Sequence, residues 1–274
     1  MNYDFALKDG MAVLFLDILG FSNLVIHYKD FCFDDGKPHD LTLRYVNDYK
    51  EIIERYKVRI KDSNFSFIWF SDTIMLSTEV ENVASLINEL AYLQHSFLCN
   101  GLALRGCICV GKLHSEDNNM WGEPIIRANH IEKDIADYPR IIIHQDDYDK
   151  LPLQAYAKYF SISTINGSRY REFSFFDLAF DELLELESEY HSTISTLLVY
   201  IEGIEQNFYS APIKVKYKWE WLAAKLLTAI KSKKCALFNL IKQYELEKIS
   251  YCSLIKRLEC IAHPILTNKQ ISYT

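Results

Sequence analysis

Glycine and proline are scarce, with 9 and 6 residues in a chain of 274. That excludes collagen-like and Gly/Pro-rich disordered classes. Basic residues do not dominate either. Thirty Lys+Arg against 37 Asp+Glu leave a formal charge of −7, so a dedicated polynucleotide binder, which needs a net basic face, is excluded as the main task. A single nucleotide stays compatible, because a metal ion can supply the missing positive charge. No apolar stretch approaches the ~20 residues a membrane helix needs. Residues 1–10 also lack the basic region and apolar run of a secretory leader, and the chain is expected to be soluble and cytoplasmic. The 7 cysteines are odd in number and show no C-x-x-C spacing. They read as small buried residues of a reducing compartment rather than as disulfides or a thiolate metal site. Nucleophile-elbow, H-E-x-x-H and P-loop patterns are missing too.

What is present is a large apolar fraction, 49%, ample for a buried core. Residues 11–16 (MAVLFL) form a continuous apolar run that predicts a central strand ending at Asp17. Residues 34–38 (DDGKP) read as a loop. Apolar positions Leu41, Tyr45, Val46, Tyr49, Ile52, Ile53 and Tyr56 recur at helical spacing and predict a helix over 40–60, with Asp40 as its cap. Residues 65–70 and 73–78 predict two strands around a tight turn at Ser71-Asp72. A helix is expected over 79–99 and a strand over 102–110 ending at Gly111, with inward-facing Cys107 and Cys109.

This order, strand–helix–strand–strand–helix–strand, is that of the ferredoxin-like or palm arrangement, an α+β fold. With right-handed crossovers, the first two strands run parallel and the third lies between them. Asp17, at the end of the first strand, and Asp72, in the turn between the second and third, then fall at one sheet edge. Farther along, the sequence predicts a polar excursion over 114–119, a helix led by Trp121-Gly122 and running to about residue 137, and strands over 139–144 and 169–176. Helices are expected from residue 178 onward. A boundary near residue 177 divides a domain of residues 10–176 from a helical C-terminal extension, 177–274, read as a cap or dimerisation element.

A carboxylate beside buried strand residues is costly unless paired or bound to a metal. Either aspartate alone is explained as the cap of a turn or helix start. Both at one edge, with Gly20 beside the first, point to Mg²⁺ or Mn²⁺, hard cations that take carboxylate oxygens and share their sites with phosphates. Paired metals on paired aspartates are a device of phosphoryl transfer. A glycine at position 20 lets backbone amides approach an anion at a helix start.

Four stretches carry a family resemblance. Phe15-Leu16-Asp17-Ile18-Leu19-Gly20-Phe21-Ser22 resembles the F-x-D-I-x-G-F-[ST] signature of class III nucleotidyl cyclases. Phe70-Ser71-Asp72-Thr73-Ile74-Met75 is similar to their second-aspartate hairpin, normally Gly-Asp. Residues 104–111 (LRGCICVG) resemble a later strand, and Trp121-Gly122 the start of the W-G helix. Order and spacing hold from Ala12 to His144. The Ser-Asp hairpin, the R-G strand and the stretch from Gly122 to Glu132 are most similar to the bacterial Pycsar pyrimidine cyclases. Lys216 to Ala223 also resembles the K-Y-x-W-L-A helix of that group, with one residue inserted.

The resemblance implies a reaction and its residues. Two divalent cations would be bound by Asp17, Asp72 and the Ile18 carbonyl, and backbone groups of Leu19, Gly20, Phe21 and Ser22 would hold a triphosphate. The substrate 3′-hydroxyl would attack the α-phosphorus, giving a 3′,5′-cyclic nucleotide and pyrophosphate. It also implies a homodimer with two composite sites at its interface. In the Pycsar group, cyclic CMP or cyclic UMP is an antiphage signal read by a separate effector protein.

Departures from the family pattern narrow the expectation. Counting from Trp121, the family's Asn and transition-state Arg fall at Ile126 and His130, with Arg127 and Asn129 beside them as candidate replacement donors. The adenine-selecting Lys falls at Ile68 and its partner acid near Asn119, which argues against a purine substrate. Arg105 is expected either to contact phosphate or to pair with a helix carboxylate, and His130 either to bind phosphate or base or to sit at the interface. The leading expectation is a pyrimidine cyclase with UTP ahead of CTP. A purine cyclase with replaced selectivity residues, or a catalytically silent nucleotide-binding regulator, are the alternatives.

Overall fold

A computed structural model describes residues 6–21, 40–116, 119–185, 190–237 and 251–267. Its first elements are β1 (Lys8–Ile18), α1 (Asp40–Ile60), β2 (Ser66–Phe70), β3 (Thr73–Glu79), α2 (Val83–Cys99) and β4 (Leu104–Glu116), in the order expected. One sheet of eight strands runs β2-β3-β1-β4-β6-β8-β7, with β5 (Asn119–Gly122) paired to β4 outside this path. Here β6 is Ile141–His144, β7 Phe160–Ile165 and β8 Ser168–Phe173. All pairings are antiparallel except β4 with β6. The third strand lies between the first and second, as the crossover rule requires.

Both faces of β1 are covered, which is why its sequence is a continuous apolar run instead of an alternating one. Ala12, Leu14, Leu16 and Ile18 join the main core with Ile53 and Tyr56 of α1 and Leu86 and Leu90 of α2. Phe15 faces the other side, packing with Cys107, Cys109, Ile142 and with Ala128 and Ile131 of α3 (Glu123–Asp134). Cys107 and Cys109 are free and buried, as expected. Cys235, Cys252 and Cys260, however, are exposed on the C-terminal helices and Cys99 is half-buried, so the reading of the cysteines as buried residues holds on β4 and fails there. The close fit of β4 on β1 depends on Gly106, where a Cβ would lie 1.9 Å from the Phe15 carbonyl oxygen.

Several boundaries differ from the sequence expectation. The stretch read as a polar excursion continues β4 to Glu116 and returns as β5, so Trp121-Gly122 ends a hairpin and α3 begins at Glu123. This ribbon projects from the sheet and needs no buried run to specify it. α3 stops at Asp134, and the edge strand β7 was not expected at all. Beyond the sheet come the short α4 (Gln145–Tyr148) and then α5 (Phe175–Glu185), α6 (Tyr190–Ser210), α7 (Ile213–Ser232) and α8 (Tyr251–Thr267). α5 runs through residue 177, and Phe176, Tyr200, Trp219, Trp221 and Leu258 share one core with Leu16 and Leu90. No helix of the described residues is long and apolar enough to cross a membrane.

Candidate active site

Antiparallel register builds the site. Asp17 stands opposite Thr73 of β3 on one side and Arg105 of β4 on the other. The Ile18 amide donates to the Asp72 carbonyl at 3.1 Å, tying the β2–β3 turn to the end of β1. That turn is pinned from behind. Tyr49 Oη donates to the Ser71 carbonyl, and Trp69 Nε1 reaches the same oxygen at 2.9 Å. Ser71 is held at φ 55°, a left-handed conformation that costs a residue with a Cβ about 1–2 kcal/mol. Burial pushes the Tyr49 phenol up, and the Asp72 charge adds to it, so the hydroxyl stays a donor.

The two aspartates, Ile18, Leu19, Gly20, Phe21, Arg105 and, from α7, Val215 and Lys218 line a cavity of about 230 Å³. Arg105 Nε donates to Asp17 Oδ2 at 2.8 Å, and its Nη2 lies 2.5 Å from Glu132 Oε1 of α3. Side-chain exposures of 14% for Asp17, 20% for Arg105 and 5% for Glu132 make this a largely desolvated triad. Of the two readings of Arg105, the pairing with a helix carboxylate is thus present, and Arg105 also reaches the cavity. Burial raises the Asp17 carboxyl above its ordinary range and Asp72 raises it further, against the opposing pull of Arg105. Glu132 is raised by burial and then by the Asp17 charge.

Two carboxylates that repel each other across a cavity, with oxygen donors only, fit a hard divalent cation better than a soft one. Among the described residues no group of three His, Cys, Asp or Glu side chains is assembled for a metal. Asp17 and Asp72 would therefore share the ion with carbonyl or ligand oxygens, the usual habit of Mg²⁺. The Leu19 amide is spent on the Ala103 carbonyl at 2.8 Å, so Leu19 lines the cavity without offering that donor to an anion. Gly20 has φ +81° with nothing within 4 Å of a Cβ, so backbone conformation and not space requires glycine there. Ser22 lies outside the described residues.

Other expected site residues stand elsewhere in this chain. Arg127 Nη1 bonds the Val110 carbonyl at 3.3 Å and Glu123 at 3.2 Å, and its Nη2 pairs with the buried Asp147. His130 Nδ1 pairs with Asp134 at 2.6 Å and is exposed, as is Ile126 one helical turn away. Asn119 is exposed on β5, and Ile68 stands on β2 opposite Met75. None of Arg127, His130, Ile126, Asn119 and Ile68 lines the aspartate cavity. Glu132, Tyr49, Trp69 and Lys218 had no predicted role at the site. Apart from the local Trp69–Ser71 bond, their contacts join residues far apart in sequence, and the signals available were a lysine inside an apolar helical stretch and a tryptophan two residues before the turn. A second, more apolar cavity of about 280 Å³, with Arg140, Trp221 and Lys225 on its wall, holds neither aspartate.

No protein-family model and no curated protein matches the chain. Among solved structures, it is similar to the dimeric guanylyl cyclase domain of the RhoGC fusion protein from the aquatic fungus Blastocladiella emersonii. Identity there is 14% and the TM-score 0.40, over 61% of this chain and 96% of that one. It is similar also to the catalytic core of a rhodopsin-guanylyl cyclase with converted specificity, at 14% identity and TM-score 0.40, over 60% of this chain and 94% of that one. A third is the adenylyl cyclase CyaB from P. aeruginosa, at 16% identity and TM-score 0.36, over 59% and 92%.

Proposed function

We propose that the chain is a metal-dependent nucleotidyl cyclase that converts a pyrimidine nucleoside triphosphate, UTP ahead of CTP, to its 3′,5′-cyclic monophosphate and pyrophosphate. One observation carries the reading: Asp17 and Asp72 open onto a single cavity together with Gly20 and Arg105. In the reaction the substrate 3′-oxygen bonds to the α-phosphorus, the bond to the β-phosphate oxygen breaks, and the hydroxyl proton passes to solvent. Two divalent cations, held by Asp17, Asp72 and the Ile18 carbonyl, would make the 3′-hydroxyl more acidic and neutralise the phosphate oxygens. The protein's own contribution is orientation and fixed charge. Gly20 and Phe21 shape the floor, and Arg105 holds the Asp17 carboxylate in place while Glu132 holds Arg105.

Ile68 and Asn119, in place of a basic and an acidic side chain, support a pyrimidine over a purine. The exposed Ile126, His130 and Trp121 support a homodimer in which this face meets a partner and completes the site, with Arg127 nearby as a candidate donor. Within the same reading, the product is an antiphage signal for a separate effector protein. Purified dimer incubated with Mn²⁺ and each of the four NTPs tests the proposal. Cyclic UMP or cyclic CMP with stoichiometric pyrophosphate is expected. Absence of product from every NTP refutes cyclase activity, and a cyclic purine product replaces the pyrimidine assignment.

A further inference from the structure

Lysine is among the residues least often buried, yet Lys218 of α7 has a side-chain exposure of only 11%. Its neighbours Trp219, Trp221 and Leu222 are buried for the ordinary reason, packing into the core. Lys218 instead lines the aspartate cavity with Asp17, Asp72 and Arg105. Its Nζ lies 2.9 Å from Asp137 Oδ1, while Tyr217 Oη donates to Asp137 Oδ2 at 2.7 Å. Asp137 itself is half exposed and is not part of the cavity wall.

The two cations at the cavity are not equivalent. Arg105 is committed to Asp17 through Nε and to Glu132 through Nη2, so two carboxylates offset its single charge. An ammonium has three donors, and Asp137 is the one carboxylate that pairs with Lys218 among the described residues. An anion entering beside Asp17 and Asp72 therefore meets, in Lys218, the cation of the wall with donors to spare.

We propose that Lys218 binds the phosphate chain of the nucleotide substrate, which makes helix α7 of the C-terminal region a wall of the site. Asp137 and Tyr217 then act as positioning residues that hold the ammonium at the cavity before substrate arrives. The proposal rests on the cyclase reading for the identity of its ligand, and it adds a residue that the motif resemblance leaves without a role.

Inorganic tripolyphosphate with Mg²⁺ is the probe, since it has neither base nor ribose. Binding to the intact protein is followed by calorimetry for wild type, K218M, K218R and D137N, with thermal unfolding of each. Replacing a charge-assisted contact lowers affinity by roughly tenfold or more. K218M is expected to show that loss, K218R to recover most of it, and D137N to lose less than K218M although both break the same ion pair. A merely structural lysine would give D137N and K218M equal effects, and that result overturns the proposal. So does tripolyphosphate binding in K218M equal to wild type, or no binding to wild type. Should K218M fail to fold, K218Q carries the same expectation. Turnover of NTPs by wild type is scored separately. Lys218-dependent tripolyphosphate binding without turnover defeats the cyclase reading alone, and turnover with an unchanged KM in K218M defeats the Lys218 assignment alone.

Discussion

Replacing Arg105 with methionine separates the two jobs of the Asp17–Arg105–Glu132 triad. The substitution leaves Asp17 and Glu132, with side-chain exposures of 14% and 5%, facing each other and Asp72 without their shared cation. Removing one partner of a buried ion pair costs about 3–5 kcal/mol. The cavity admits solvent on the Asp17 side, so the lower end, ~3 kcal/mol, applies to the metal-free protein. With an m value of ~3 kcal/mol per molar urea, that lowers the unfolding midpoint by about 1 M. Adding Mn²⁺ should change the comparison. In wild type the ion competes with the Arg105 hydrogen bond for Asp17, whereas in R105M it meets bare carboxylates. An ion at a hundred times its Kd stabilises by about 2.7 kcal/mol, and tighter binding to the variant makes its gain larger than that of wild type. Urea titrations of both proteins with EDTA and with saturating Mn²⁺ check this, and the deficit of R105M should shrink in Mn²⁺. A deficit of equal size in both conditions would refute the placement of the metal on Asp17, because Arg105 and the ion would then not share a ligand.

Asp72→Ala should abolish pyrophosphate release while changing the thermal stability by no more than about 1 kcal/mol, since Asp72 sits in a turn whose backbone supplies the tie to Ile18. Gly106→Ala should prevent accumulation of folded protein, because the added methyl would stand 1.9 Å from the Phe15 carbonyl oxygen at the seam between β1 and β4; soluble yield and circular dichroism report it. Burial opposes ionisation of Asp181, but hydrogen bonds from Lys233, Lys158 and Tyr159 carry its carboxyl down to about 2. Its contribution to stability is therefore present above the ordinary value of 3.8 and lost as pH falls toward 2. Asp181→Asn should lower the urea midpoint at pH 6, by an amount corresponding to about 1 kcal/mol with exposed Lys158 discounted for screening, and the gap should close near pH 2.

The aspartate pair was legible because each residue ends an element that the chain announces strongly. Residues 11–16 are apolar on both faces, and the Ser71-Asp72 turn is bounded by two short apolar strands. The helix over 40–60 was legible from its 3.6-residue period. The β4–β5 ribbon was not, because its faces are partly solvated and Lys112, His114 and Glu116 read as a polar loop. Edge strand β7 escaped for a related reason, since Ile162 points to solvent and breaks any signature of burial. Arg127 shows the other limit. Its turn toward Asp147 depends on a short helix placed by β6, and no spacing in the sequence connects positions 127 and 147. Lys218 meets Asp137 across 81 residues for the same kind of reason.

The register of β1 bears on how chain length can vary in relatives of this protein. Asp17 is paired on both flanks, to Thr73 and to Arg105, and side chains alternate faces along a strand. Inserting or deleting one residue between Met11 and Asp17 would turn the carboxylate toward the α1–α2 side and put the side chain of Leu16 or Ile18 in its place opposite Thr73 and Arg105. No compensating shift in β3 or β4 alone could restore it, since each fixes only one flank. Length changes should therefore be confined to connections such as residues 61–65 between α1 and β2, while the distance in residues from Met11 to Asp17 stays constant.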